Sequence, residues 1–438
     1  MATIAENLQT IQNIKQDIKT AIENKGVDMT NTPFSEYSTK IDEITTGGGD
    51  TTNYSYKIPT ADVNGLKAIG WNDESIGYFR DNNLCYDWQK DDYIVSEGNK
   101  ELYGVITKDN ISTYKSDPNF VYCPMIDTSN ITNMNYIFSL CPSLQSLPLL
   151  DTSNVTNMSY MFAECNSLLS IPMLDTSNVT NMSNMFYKCR TLKLIPELNT
   201  TNVTNMSNMF YNCTSLHSIP LLDTSNVTDM NHMFTECNSL LSIPMLDTSN
   251  VININAMFSY CRTLQTIPEL NTTNLTNMSN MFYECNSLLS IPMLDTSNVT
   301  NMSYMFYSCK TLQTIPELNT TNVANMNFMF SSCSSLQSLP LLDTSNVTNM
   351  INFFGYSTIN TLTDLGGFKD LKISVTSGFL ERTPNLTVDS LMNVINNVYD
   401  LTANGLSGQS LKFGSTNLNK LTAEQVAIAT AKGWTLTA

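Results

Sequence analysis

Cationic side chains are scarce in this chain: 22 Lys and Arg and 2 His stand among 438 residues, against 39 Asp and Glu, for a formal net charge of −17. A phosphate backbone or an anionic lipid surface is repelled by such a balance, so no nucleic-acid partner is expected. With His217 and His232 as the sole imidazoles, the commonest general bases and metal ligands are nearly missing. The chain also lacks GxSxG, HExxH, a P-loop and a dinucleotide fingerprint, which leaves an active site little to be built from. A non-enzymatic protein is therefore expected, with no catalytic residue, no metal ligand and no cofactor assigned. No apolar run approaches the roughly 20 residues of a membrane span, so no membrane insertion is expected. The opening stretch MATIAENLQTIQNIKQ has neither the basic start nor the apolar core of a secretory signal, and the expectation is assembly in a cytosol.

What the chain holds in quantity is one pattern, copied. The string DTSNVTNMSYMFAECNSLLSIPML, starting at Asp151, recurs with its first position at Asp127, Asp151, Asp175, Asn199, Asp223, Asp247, Asn271, Asp295, Asn319 and Asp343, always 24 residues apart. Nine of the 11 cysteines, from Cys141 to Cys333, keep the same spacing. One thiol per copy, with no CxxC motif or Cys/His cluster, reads as a small buried hydrophobe rather than a redox or metal site. A single copy cannot bury its apolar side, whereas stacked copies share one continuous core, so the fold class is an α/β repeat solenoid. Val155, Met158, Met161 and Phe162 follow helical spacing and predict one helical turn per copy, capped by Thr156 or Asn157. Leu168, Ile171, Met173 and Leu174 predict one short strand per copy, running in a parallel ladder over residues 123–355.

Non-repeating segments flank that body. Ile4, Leu8, Ile11, Ile18 and Ile22 form a heptad seam in a helical segment, 1–44, expected to anchor the chain or to join copies of it, with trimers favoured by its isoleucines. Residues 45–53, TTGGGDTTN, read as a linker and 54–122 as an N-terminal cap. Residues 356–438 read as a C-terminal capping region, with helical spacing at Leu391, Ile395 and Val398 and a capping box at Thr422 and Gln425.

The carboxylates of the repeats form a candidate binding stripe: Asp127, Asp151, Asp175, Glu197, Asp223, Asp247, Glu269, Asp295, Glu317 and Asp343. Where the first position is Asn (Asn199, Asn271, Asn319), a Glu stands two residues earlier, on the same face of an extended chain. Each rung thus keeps one carboxylate. A solvated face, a surface for a cationic, Ca²⁺-bridged or carbohydrate partner, and a pair of catalytic carboxylates are the alternatives that this stripe leaves open. Rows such as Thr152, Ser153 and Asn154 lie beside it and either satisfy their own turns or offer hydrogen bonds to a glycan.

The repeated core, VTNMSYMF followed by a cysteine and then SLLSIPMLDTSN, resembles the BspA-like class of leucine-rich repeats of bacterial and protozoan surface proteins, over about residues 123 to 350. The leader IAENLQTIQNIKQDIKTAIENKGVDMTNTPFSEYSTKI is similar to that of phage and prophage tail or fibre proteins, as are LTVDSLMNVINNVYDL and KLTAEQVAIATAKGWTLTA near the C-terminus. The resemblance implies a virion protein, a tail or head fibre assembled in the host cytoplasm. Its N-terminus would dock on other virion proteins and its solenoid would meet a host surface protein or glycan. The alternative is a BspA-like adhesin on a bacterial cell surface.

Overall fold

The computed structural model describes residues 123, 128, 131–145, 147 and 150–438. The heptad seam, the linker, the 54–122 segment and Asp127 lie outside the described residues.

Each 24-residue copy is one coil of a leucine-rich-repeat-type solenoid. Nine positions are buried in every coil from 151 to 342: in the coil 151–174 these are Thr152, Val155, Met158, Met161, Phe162, Cys165, Leu168, Ile171 and Leu174. Phe138, Phe162, Phe186 and their equivalents through Phe330 stack as one column, with centroids 5.3 to 5.9 Å apart and planes within 13°. Hiding each such side chain is worth about 1.5–3 kcal/mol, and an isolated coil would leave both of its flat sides wet. Beside the phenylalanines, each cysteine Sγ donates to the carbonyl of the phenylalanine one coil back, as Cys189 does to Phe162 at 3.0 Å. Among the described residues the thiols form no disulfide and are buried, and burial pushes that of Cys189 well above the ordinary thiol range. This is the core role expected of them.

The predicted helical turn takes a different form. Met158, Tyr160, Phe162 and Glu164 donate their N–H groups not within the coil but to Asn181, Ser183, Met185 and Tyr187 of the next, at 2.7–3.0 Å. Between them, Met161, Ala163 and Cys165 donate three residues back, at 3.1 Å. Tyr160 and Glu164 hold φ values of 56° and 64°, as do their counterparts along the stack. A left-handed residue without glycine is costly. The cost is offset because this alternation aims every second N–H across the coil boundary. Thr156 and Asn157 cap no helix: Asn157 accepts the Ser159 N–H at 2.9 Å, while Thr156 Oγ1 donates to Thr132 O, one coil back, at 3.2 Å. The parallel ladder runs here, as single bridges Asn133–Asn157–Asn181 and onward.

The predicted strand is correspondingly irregular. Cys165, Leu168, Ile171 and Leu174 are buried at every third position, whereas a flat strand buries every second. Among the described residues, only in the last coil does this half pair as strand. There β1 (Ser338–Leu339) and β2 (Leu342–Asp343) run parallel to β3 (Asp364–Leu365) and β4 (Phe368–Lys369).

Beyond β4, α1 (Val388–Asn397) lays Leu391, Val394 and Ile395 on the end of the core. β5 (Gln409–Lys412) and β6 (Trp434–Thr437) form a parallel pair flanking α2 (Ser415–Leu418) and α3 (Ala423–Ala431). Thr422 and Gln425 make the expected capping box of α3, and Gly433, at φ 88°, turns the chain out of it. Phe353 meets Phe330 edge-on at 68°, ending the stacked column, and Trp434 is buried with its indole N–H on Tyr399 O at 2.8 Å.

One boundary differs from its neighbours. The Asn bridge is missing between Asn253 and Asn277, as is the bond from Thr276 N to residue 252, although Thr180 and Thr300 make the equivalent bond at 2.8–2.9 Å. Ile252 stands there in place of Thr and Leu275 in place of Val, and the Phe258–Phe282 separation of 5.9 Å is the widest in the column.

Candidate functional site

The chain leaving Leu168 turns Leu168, Ile171 and Leu174 inward at every third position and the side chains between them largely outward. The outward ones form one continuous face. Met173 is 63% exposed, Leu221 71%, Met245 65% and Met293 68%, all at the position two residues before the first of the next coil. Leu169, Leu241 and Leu289, four residues earlier, are exposed beside them. Met173 stands among the predicted strand residues, and the three-residue burial period turns it out to solvent. Exposed aliphatics of this size normally find cover, and a row of them is a feature of contact surfaces.

The predicted carboxylates sit on this same face. Among the described residues the nine coil junctions from 151 to 343 each carry one: Asp151, Asp175, Glu197, Asp223, Asp247, Glu269, Asp295, Glu317 and Asp343. Local geometry explains part of the pattern. Asp175 Oδ1 accepts from Ser177 N at 3.0 Å and from Ser177 Oγ at 2.6 Å, closing an Asx turn into the next coil. The Ser hydroxyl, then the backbone N–H, hold the carboxyls of Asp175, Asp223, Asp247 and Asp295 below the usual aspartate range. Asp247 is nudged upward by Asp223 on the neighbouring coil.

An amide oxygen closes the turn equally well. Asn199 accepts from Thr201 N and Oγ1 at 3.2 and 2.7 Å, and Asn271 from Thr273 at the same distances. The turn therefore needs an oxygen, not a charge. Yet at Asn199, Asn271 and Asn319 the charge reappears as Glu197, Glu269 and Glu317, each exposed. None of these glutamates has a partner among the described residues. Among the described residues the one ion pair on the stripe is Asp343 with Lys369 of the following coil, at 2.6 Å.

The polar rows beside the stripe are taken up by the stack itself. Thr176 and its counterparts are buried, and from Thr224 onward their hydroxyls reach the next coil, as Thr224 Oγ1 does to Asp247 O at 2.9 Å. Asn178 Nδ2 donates to Ser153 O at 2.8 Å, and Asn202, Asn226 and Asn250 repeat the bond. A glycan array is therefore not left free at these positions.

Sequence reasoning missed a second surface, on the turn half. There Tyr187 stacks on Tyr211 at 4.9 Å, Tyr283 on Tyr307 at 4.6 Å and Tyr304 on Phe328 at 4.7 Å. The rings cover one another's faces. Salt bridges Lys188–Glu164 and Arg262–Glu284 lie alongside and neutralise carboxylates there. Among the described residues no group of His, Cys, Asp and Glu is arranged to hold a metal, and no helix is long and apolar enough to cross a membrane.

No curated protein matches the chain in sequence. Solved structures similar to it in shape include TLR13 in a complex with ssRNA13, at 14% identity over 75% of this chain and 48% of that one, with a TM-score of 0.26. The chain thus spans about half the length of that protein. A leucine-rich-repeat protein of T. pallidum is similar at 17% identity over 52% of this chain and 72% of that one, with a TM-score of 0.20. The functional domain of InlJ from Listeria monocytogenes, described as including a cysteine ladder, aligns at 13% identity over 73% and 72%, again at 0.20. The family model described as "Mycoplasma protein of unknown function, DUF285" matches residues 119–218, 190–290 and 262–368, together more than half of the 438 residues, and the chain belongs to that family.

Proposed function

We propose that the protein is a non-enzymatic binding and display protein, whose solenoid projects from a particle or cell surface and holds a protein or glycan partner on its outward face. The observation that supports this most is that face itself: a charge retained at each described coil junction even where the local turn does not require it, with an exposed aliphatic two residues before Asp175, Asp223, Asp247, Asp295 and Asp343. In finer terms we assign it to a bacteriophage virion, as a tail or head fibre assembled in the host cytoplasm. Residues 1–44 would dock on other virion proteins and, through Ile4, Leu8, Ile11, Ile18 and Ile22, associate with further copies. The similarity of the leader and of the C-terminal segments to fibre proteins supports that assignment. Membership of the DUF285 family favours a second reading, a BspA-like adhesin displayed on a bacterial cell surface.

The two readings separate by location. Particles purified after phage induction should carry the full chain and should lose it when residues 1–44 are deleted, with the deleted protein soluble and folded. Normal copy number of the deleted protein on particles would refute the anchor. Recovery of the full chain in cell envelopes without induction, and its absence from particles, would establish the adhesin instead.

A further inference from the structure

We infer that the outward face of the extended half is a docking surface for a cationic, aliphatic-bearing polypeptide laid across successive coils. The inference rests on the reading of the solenoid as a binding body and names what it binds.

Three features of the face point to that occupant. Exposed aliphatics recur along the stack at the one position that Glu197, Glu269 and Glu317 take in three other coils: Met173, Met245 and Met293 are each more than 60% exposed, whereas the other described repeat methionines are buried. The carboxylate row keeps one negative charge per described rung, one for each coil of the stack. It does so through Glu197, Glu269 and Glu317 wherever Asn has taken over the turn. Like charges on neighbouring coils repel one another, as the upward pull of Asp223 on Asp247 records. The third feature is what the chain itself places on the row. Where the stack ends, β4 lies parallel to β2, pairs Lys369 with Asp343 in register, and sets the ammonium on the carboxylate at 2.6 Å. Phe368 beside it fills the core end. An extended strand that turns a basic side chain onto the outward face is thus the arrangement that already satisfies the last rung. Rungs 151 to 317 present the same carboxylates with no cation on them among the described residues. The turn half is a poorer candidate, because its Glu164 and Glu284 already hold Lys188 and Arg262.

The test uses the full-length chain and a fluorescein-labelled dodecapeptide of alternating Lys and Leu, followed by anisotropy at low salt. Saturable binding is expected, weakened roughly tenfold in the triple variant E197Q/E269Q/E317Q, as the loss of three exposed charge pairs would give. Raising the salt past 0.3 M should erase most of that difference, because the Debye length then falls to several ångströms. The triple variant M173S/M245S/M293S should weaken binding by at least as much, since it removes the apolar contact while altering exposed positions the fold does not use. A charge-matched control, E164Q/E236Q/E284Q on the turn half, should bind as the parent does. Each of the following overturns the inference: no binding of the Lys/Leu peptide; equal binding of a Lys/Ser peptide; equal weakening by the turn-half control; or saturable Ca²⁺ or glycan binding at the face with none of the peptide. Particle or envelope location is read separately, so peptide failure with the expected location intact refutes this inference and leaves the display role standing.

Discussion

Phe210→Ala tests whether stability in this molecule is carried coil by coil. Phe210 is fully buried between Phe186 at 5.6 Å and Phe234 at 5.7 Å. Its N–H is fixed on Met233 O at 2.9 Å, and its carbonyl accepts the Cys237 thiol at 3.1 Å. Truncating a buried phenylalanine costs about 3–5 kcal/mol, more where the surroundings cannot close the cavity. Here they cannot close readily, because the flanking rings are held at the coil spacing by their own backbone ladder. Both stacked contacts are lost together, so the upper part of that range is expected, corresponding to a fall of about three orders of magnitude in local protection. In a stack governed by nearest-neighbour terms the loss concentrates in residues 175–246 and fades toward the C-terminal coils. Amide hydrogen exchange followed by mass spectrometry, peptide by peptide, reads that profile. Met173→Ser is the matched control and should leave it unchanged. A fall of less than tenfold, or an equal fall across every coil, would refute the reasoning.

Three further outcomes follow from the same architecture. Deleting residues 199–222, one whole coil, should leave a folded solenoid by circular dichroism with a small drop in melting temperature, whereas deleting 199–210 should abolish the cooperative transition; comparable melting of both would mean the coils are not interchangeable. The carboxyls of Asp175, Asp223, Asp247 and Asp295 lie below their ordinary range when folded, so their contribution is present above about pH 4 and is lost as pH falls through and below it. Replacing all four by Asn, which closes the same turn at Asn199, should keep the fold and flatten the fall in melting temperature between pH 5 and pH 3; an unchanged acid slope would remove these carboxylates from the account. The amide of Thr276 should exchange at least tenfold faster than that of Thr180 or Thr300, and I252T/L275V should restore it; equal exchange in the parent protein would show that the gap between those coils has no energetic consequence.

The 24-residue period was sufficient to establish the stack, because an apolar side repeated without insertion has nowhere to hide except against the next copy. The same period identified Cys165 and its counterparts as core and the carboxylate at each junction as an outward charge, since the exchange of Asp for an earlier Glu is visible residue by residue. The capping box of α3 was equally legible, being a contact between residues three apart. The form of each coil was decided only in three dimensions. Val155, Met158, Met161 and Phe162 show the spacing of a helix, but three-residue steps arise equally from consecutive tight turns. The choice between them lies in where the N–H of Tyr160 goes, and its acceptor, Ser183, is on another coil. Met173 shows why apolar character alone does not place a side chain: methionine is apolar wherever it stands, and whether it faces core or water depends on the burial period of the segment around it. That period became three rather than two because the chain curves to meet its neighbours, a constraint that local sequence does not contain and the packed stack imposes.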